Sequence, residues 1–133
     1  VIFLLDTSAI SALMREDLTF SRWLASIRPD DDIVTCAIVR GEILFGLARL
    51  AEGRRRSDLE GKAAAILAAL RCEPVAPPSA DLYAVLKTEQ QRRGVCLDEN
   101  DLWIAATALA LNATLVSRDT DFQRIDRLTV IAP

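Results

Sequence analysis

Four carboxylates stand where a simple apolar core would not place them. Asp6 directly follows the short apolar run Val1–Leu5, and Asp119 stands just past a second run, Thr114–Ser117, with only Arg118 between. Glu42 lies in a segment of helical period among Ile38, Val39, Phe45 and Gly46, and Asp101 lies near the start of a stretch, Asn100–Leu111, that is small or apolar on nearly every side. Singly, each has an ordinary reading: Asp6 as a helix cap, Asp119 as a turn residue, Glu42 as an ion-pair partner of Arg49, Asp101 as a complement to a helix dipole. Asp98 most simply caps the helix that carries Asp101, and Asp121 could supplement Asp119. If folding gathers these acids, two carboxylates about 5 Å apart repel by about 3 kcal/mol at an effective dielectric of 20. Such a group must protonate or hold a cation. All-oxygen ligands select Mg²⁺ or Mn²⁺ over zinc or copper, so the chemistry expected is that of a divalent-metal carboxylate site.

Composition narrows the field further. The 133 residues contain no histidine, which removes Ser-His-Asp triads, Cys-His pairs, His-ligated zinc and imidazole-based ribonuclease chemistry. Three cysteines, Cys36, Cys72 and Cys96, form no CxxC pair, so neither a zinc knuckle nor a thioredoxin-like motif is available. Their sparse, odd number points to reduced thiols. A hydrophobic fraction of 51% with a net charge of −3 excludes a disordered chain. The opening apolar run is too short for a signal peptide, and the stretch Leu102–Val116 is interrupted by Thr107, Asn112 and Thr114. The expectation is a soluble cytoplasmic protein without a membrane segment. Of 16 basic residues all but Lys62 and Lys87 are arginine, the better bidentate phosphate ligand. Overall acidity argues against broad coating of nucleic acid but leaves room for local patches such as Arg54–Arg56 and Arg92–Arg93.

The elements that must position the acids follow from pattern. Val1–Leu5, Ile33–Cys36, Thr114–Ser117 and Leu128–Ile131 read as strands, with a weak fifth at Cys72–Val75 ended by Pro77-Pro78. Helices are expected over Ala9–Met14, Leu18–Ile27, Ala37–Ala51 and Asp58–Leu70, with Arg54–Arg56 as a solvated turn. Two more follow: one capped by Ser79 and running through Arg93, and Asn100–Leu111. Alternation of strands and helices indicates an α/β layered fold with a mainly parallel sheet, in one domain spanning 1–133. In such folds ligands bind beyond the carboxyl ends of the strands, where Asp6 and Asp119 stand.

At these residues the sequence resembles the PIN-domain family, and within it the VapC-type toxins of bacterial toxin–antitoxin pairs. The resemblance rests on Leu4-Leu-Asp-Thr-Ser8, Arg40-Gly-Glu-Ile-Leu-Phe-Gly46, Asn100-Asp-Leu-Trp-Ile-Ala-Ala106 and Leu115-Val-Ser-Arg-Asp-Thr-Asp-Phe122, four motifs in order across the whole chain. It implies a three-layer α/β/α domain with about five strands and a Mg²⁺-dependent endoribonuclease activity, Mn²⁺ being an alternative ion. The family's acids fall on Asp6, Glu42, Asp101 and Asp119. Asp6 and Asp101 are the more direct ligands, and Glu42 and Asp119 ligate or act through water. Ser117 stands where relatives often carry threonine. The resemblance also implies an RNA substrate, a homodimer, and silencing by a VapB-like antitoxin in a heterotetramer or larger assembly.

The residues agree with that chemistry. Without histidine, phosphodiester hydrolysis needs a metal to supply its nucleophile. Asp6 and Asp101 are the expected principal ligands, with Asp119 helping to hold the ion and Glu42 positioning or deprotonating water. The competing readings are a PIN-type RNA-processing enzyme, a structure-specific DNA nuclease, and a non-enzymatic Mg²⁺-binding receiver-like module. The last wants adjacent acids after an early strand and a lysine near the last. Thr7 follows Asp6, and neither Lys62 nor Lys87 lies near the last strand.

Overall fold

A computed structural model describes residues 1–133. Five strands, β1 (Ile2–Leu5), β2 (Asp32–Cys36), β3 (Arg71–Glu73), β4 (Thr114–Val116) and β5 (Val130–Ile131), form one sheet in the order β3-β2-β1-β4-β5. Every pairing is parallel. Six helices flank it: α1 (Thr7–Met14), α2 (Leu18–Ala25), α3 (Ala37–Ala48), α4 (Arg54–Ala69), α5 (Pro77–Arg92) and α6 (Glu99–Ala110). The chain builds outward from β1 to β2 and β3, then crosses to the other side for β4 and β5. That reversal leaves a crevice beyond the carboxyl ends of β1 and β4. Register pairs Leu5 with Val116, so the residues that follow, Asp6 and Ser117, emerge side by side.

The strands are short and apolar on both faces because helices cover both. Leu4, Leu5, Val34, Leu115 and Val116 are fully buried. Thr35 ties β2 to β1 from within, its hydroxyl donating to the Leu5 carbonyl at 3.1 Å. In α6, Leu102 and Ile104 to Ala108 are all buried, and the run of alanines lets the helix approach its neighbours closely. Its outer side packs on α5 through parallel Tyr83 and Trp103 rings, 3.9 Å between centroids. Lys87 closes the same seam by donating to Glu99 at 3.2 Å.

Three local expectations need correction, two at helix starts and one at a strand end. Arg54–Arg56 form the first turn of α4 rather than a solvated turn, because Gly53, at φ +149, redirects the chain at once. Arg56 then bonds forward to Glu60 at 3.0 Å and back to the Leu50 carbonyl at 3.2 Å. Pro77 and Pro78 open α5 instead of preceding a Ser79 cap, since proline's missing N–H is harmless in a first turn. Ser79 is buried inside that turn. β3 runs Arg71–Glu73 rather than Cys72–Val75, because Pro74 has no N–H to give the ladder.

Close packing of α6 makes it intolerant of added volume. Ala105→Leu should destabilise the protein by about 1–3 kcal/mol through overpacking, read as a lower midpoint in urea unfolding with an unchanged slope.

Candidate metal centre

The first carboxylate is fixed by its place at a strand end and a helix start. Asp6 caps α1, its Oδ1 accepting from the Ala9 N–H at 2.9 Å and the Ser8 hydroxyl at 2.7 Å. Oδ2 accepts a hydrogen bond from the Ser117 hydroxyl across the β1–β4 seam. Only 3% of Asp6 is exposed. The cap reading of this residue holds, and the cap leaves Asp6 at the β1–β4 seam.

Ser117 passes the order on. Its Oγ accepts from the Asp119 N–H at 3.0 Å, and the Ser8 Oγ accepts from the Arg118 N–H at 3.0 Å. These contacts fold the chain after β4 over the crevice. Asp119 in turn caps a 3₁₀ helix, Thr120–Arg124, by accepting from the Asp121 N–H at 2.9 Å. The short helix returns Asp121 to the same place. Asp101, three residues past the Asp98 cap of α6, meets both: one carboxylate oxygen each from Asp101, Asp119 and Asp121 lies within 4.8 Å of the others. Asp121 was legible only as a possible supplement to Asp119, and the tight 3₁₀ turn makes it a full member of this group. Asp6 is not in the group of three, although it stands close enough to feel the charge of Asp119.

Glu42, on α3, is half-buried and takes no ion pair with Arg49. Its Oε1 accepts from the Thr7 hydroxyl at 2.7 Å, which ties α3 to the first turn of α1. Arg49 lies over the Phe45 ring instead, 5.5 Å from its centroid. The helix stripe around Glu42 is less apolar in effect than in composition, because Phe45 is 64% exposed. Arg118 is the cation nearest in sequence to the acids, and it is held elsewhere. Its guanidinium grips Asp17 with bonds of 2.8 and 2.9 Å, reaches the Pro133 carbonyl and lies over Phe20.

Comparison with known proteins bears on this arrangement. The PIN domain family matches residues 3–128. The chain belongs to the PIN-domain family. It is 31% identical to the VapC ribonuclease Y4jK of Sinorhizobium fredii over 97% of this chain and 95% of that one, and 27% identical to ribonuclease VapC2 of Rickettsia felis over 96% and 95%. Its fold matches the VapBC2 complex of Rickettsia felis bound to a promoter DNA fragment, with a TM-score of 0.90 at 24% identity over 100% of this chain and 99% of that one. PIN nucleases are metal-dependent, and the acids here offer the all-oxygen donors such an ion requires.

Electrostatics make the same point about this PIN domain. Burial pushes the Asp6 carboxyl up against the opposing hydrogen bonds from Ser117, Ala9 and Ser8, and the charge of Asp119 pushes it further. Asp101 rises from 3.8 to about 7, first through burial and then through the charges of Asp119, Asp98, Glu42 and Asp121. Four acids on three segments thus act on one carboxyl. Asp17 moves the opposite way, held well below the usual carboxylate range by Arg118.

The shift has a sign that unfolding can read. Unfolded, Asp101 loses its proton near 3.8; folded, it keeps it to about 7. Across that window the native state binds the extra proton, so stability of the metal-free protein falls as pH rises from about 4 to about 7. Asp6 adds in the same direction, and Asp17 acts only at lower pH. In chelator, Tm should be lower at about pH 7.5 than at about pH 5. Asp101→Asn should narrow that gap and raise the neutral-pH Tm by at least about 2 °C. An equal gap in the variant would show that Asp101 carries no such strain.

Proposed function

We propose that the chain is a metal-dependent endoribonuclease, the toxin of a toxin–antitoxin pair, using Mg²⁺ with Mn²⁺ as an alternative. The observation that carries the reading is the meeting of Asp101, Asp119 and Asp121 at the strand ends of a histidine-free PIN domain. Asp101 and Asp119 would hold the ion, joined by Asp121. Asp6 is the fourth acid: its Oδ2 accepts a single hydrogen bond and keeps a lone pair for the same ion. When bound, a divalent ion makes water a stronger nucleophile and offsets charge on the phosphoryl oxygens. Glu42 supplies the remaining function. Thr7 holds one of its oxygens, which leaves the other to orient water and take its proton. Water then adds to phosphorus as Glu42 takes its proton, the bond to the 3′ oxygen breaks, and that oxygen leaves with a proton drawn from solvent.

The partner reading rests on a different surface. A groove of about 750 Å³ opens beside Glu42 and Thr7, floored by Met14, Ile43, Leu47 and Leu59 of α1, α3 and α4. The Rickettsia felis structure is of a VapBC complex, and by that likeness an apolar segment of a VapB-like antitoxin would fill this groove and screen the acids. A homodimer of the chain, bound by antitoxin in a heterotetramer or larger assembly, completes the proposal.

Incubation of the purified protein with RNA should give cleavage that Mg²⁺ supports and chelator abolishes. Asp101→Asn and Asp119→Asn should each lower the rate by more than the roughly 10–100-fold typical of losing a group behind the ligands. The products should carry 5′-phosphate and 3′-hydroxyl ends. Cyclic 2′,3′-phosphate ends would mean that the ribose hydroxyl attacks, and cleavage unaffected by chelator would sink the metal assignment.

A further inference from the structure

A second polar pocket lies where the acidic site gives way to basic surface. It measures about 370 Å³ and is lined by Glu89, Gln90, Arg92, Arg93, Asp126 and Arg127, with no apolar side chain. Its walls are the end of α5 and the turn that follows the 3₁₀ helix. Arg93 and Gln90 both donate to the Arg124 carbonyl, at 3.0 and 3.5 Å, and so bind those walls together. The same 3₁₀ helix begins at the acids and ends at Arg124. At about 2 Å of rise per residue its two ends are about 10 Å apart, two or three nucleotides at the 3.4 Å rise of a stacked strand.

Charge in the pocket is uneven. Arg127 is closely paired with Glu89 at 2.6 Å, whereas Arg93 meets the exposed Asp126 only at 3.7 Å. Arg92 and the neighbouring Arg124 have no carboxylate partner at all. Within a chain of net charge −3, this is a local cationic surplus beside an anionic centre. Gln90 adds an independent mark. Its Oε1 is the one buried side-chain oxygen or nitrogen in the protein without a hydrogen-bond partner, in a residue only 3% exposed. Such a group is uncommon and costs free energy until a donor reaches it. A phosphate at neutral pH has little to donate; a ribose hydroxyl does.

We propose that this pocket is a ribonucleotide subsite for the strand being cut, with Arg92 and Arg93 taking a phosphate two or three nucleotides from the scissile bond and Gln90 accepting from the adjoining 2′-hydroxyl. The proposal rests on the endoribonuclease reading and deepens it. Arg92 meets the phosphate without first breaking an ion pair, and Arg93 exchanges a long contact for a short one. Because Gln90 Oε1 is sealed from solvent, its contact with the 2′-hydroxyl requires the arginine side chains that line the pocket to move aside as they take the phosphate. The arrangement extends a strand from the acids along the 3₁₀ helix onto the basic pocket, so the site grips RNA by polarity as well as by its metal.

Steady-state cleavage of an RNA oligonucleotide long enough to span both regions tests this. Arg92→Glu should raise KM at least about tenfold with a much smaller change in kcat. It should also reduce the slope of log(kcat/KM) against log[salt] by about one, the signature of one lost phosphate contact on a single strand. Arg28→Glu, a charge-matched change just before β2, at the amino end of that strand, should leave both values alone. Binding of oligonucleotides by the Asp101→Asn protein supplies the second arm. Replacing the 2′-hydroxyls with hydrogen should weaken binding severalfold, and Gln90→Leu should erase most of that difference. Unchanged KM and salt slope in a folded Arg92→Glu protein would overturn the subsite. So would loss of antitoxin binding alone, which would give the pocket to a protein partner. Absence of any RNA cleavage by the unmodified chain would instead remove the endoribonuclease reading beneath it.

Discussion

Mutual repulsion among carboxylates at the β1–β4 seam is the constraint to which the rest of the structure answers. A domain that needed only stability would neutralise such a group with a neighbouring arginine, and one stands next in sequence to Asp119. Arg118 instead points away and is engaged by Asp17, by the Pro133 carbonyl and by the Phe20 ring. That triple hold keeps the guanidinium away from the crevice, and Arg118 in turn holds the Asp17 carboxyl well below the usual carboxylate range. The deficit of positive charge is therefore built in. Asp101 registers it most clearly, as a half-buried carboxyl with four like-charged neighbours acting on it.

Holding like charges together takes rigid supports, and these are local. Ser8 and Ser117 each donate to Asp6 and each accept a backbone N–H from the segment after β4. Two hydroxyls thus join the first strand to the fourth at the level of the acids. Thr7 does the same for Glu42, and the Tyr83–Trp103 and Lys87–Glu99 contacts fix the start of α6 against α5. Each acid sits on the first residues after a strand or in the first turns of a helix, where the core on one side is fully packed.

Much of this could be read from the residues. Apolar runs two or more residues shorter than a membrane or signal segment gave the strands, and alternation with helical period gave a parallel sheet. The rule that ligands lie beyond strand ends then singled out Asp6 and Asp119. What pattern did not carry was the geometry of short turns. By type alone Arg54–Arg56 carry only charge and Pro77-Pro78 only a chain break, although a glycine at positive φ and a first-turn proline start helices. The 3₁₀ helix was invisible because five residues hold no period to detect. Its one local signal was the spacing Asp119-Thr-Asp121, an acid that can cap its own turn and bring the next acid back. The basic pocket depends on α5 meeting that same turn, a tertiary contact about thirty residues apart in sequence that no motif announces.

For each acid at an element start, capping a helix and holding an ion could have been rival explanations. The bonding shows why they are not. Asp6, Asp98 and Asp119 each place Oδ1 on a backbone N–H. A carboxylate used in this way loses rotational freedom about its side chain, and its second oxygen is left with a fixed direction. Asp119 makes no side-chain bond through that second oxygen, and Asp101 makes none through either. Capping therefore pre-orients the free oxygen of Asp119, lowering the entropy that an ion would otherwise have to overcome in ordering it. A helix start placed at the end of a parallel strand supplies the cap, the orientation and the crevice together, so that Asp6 and Asp119 can cap their helices and still face the same crevice.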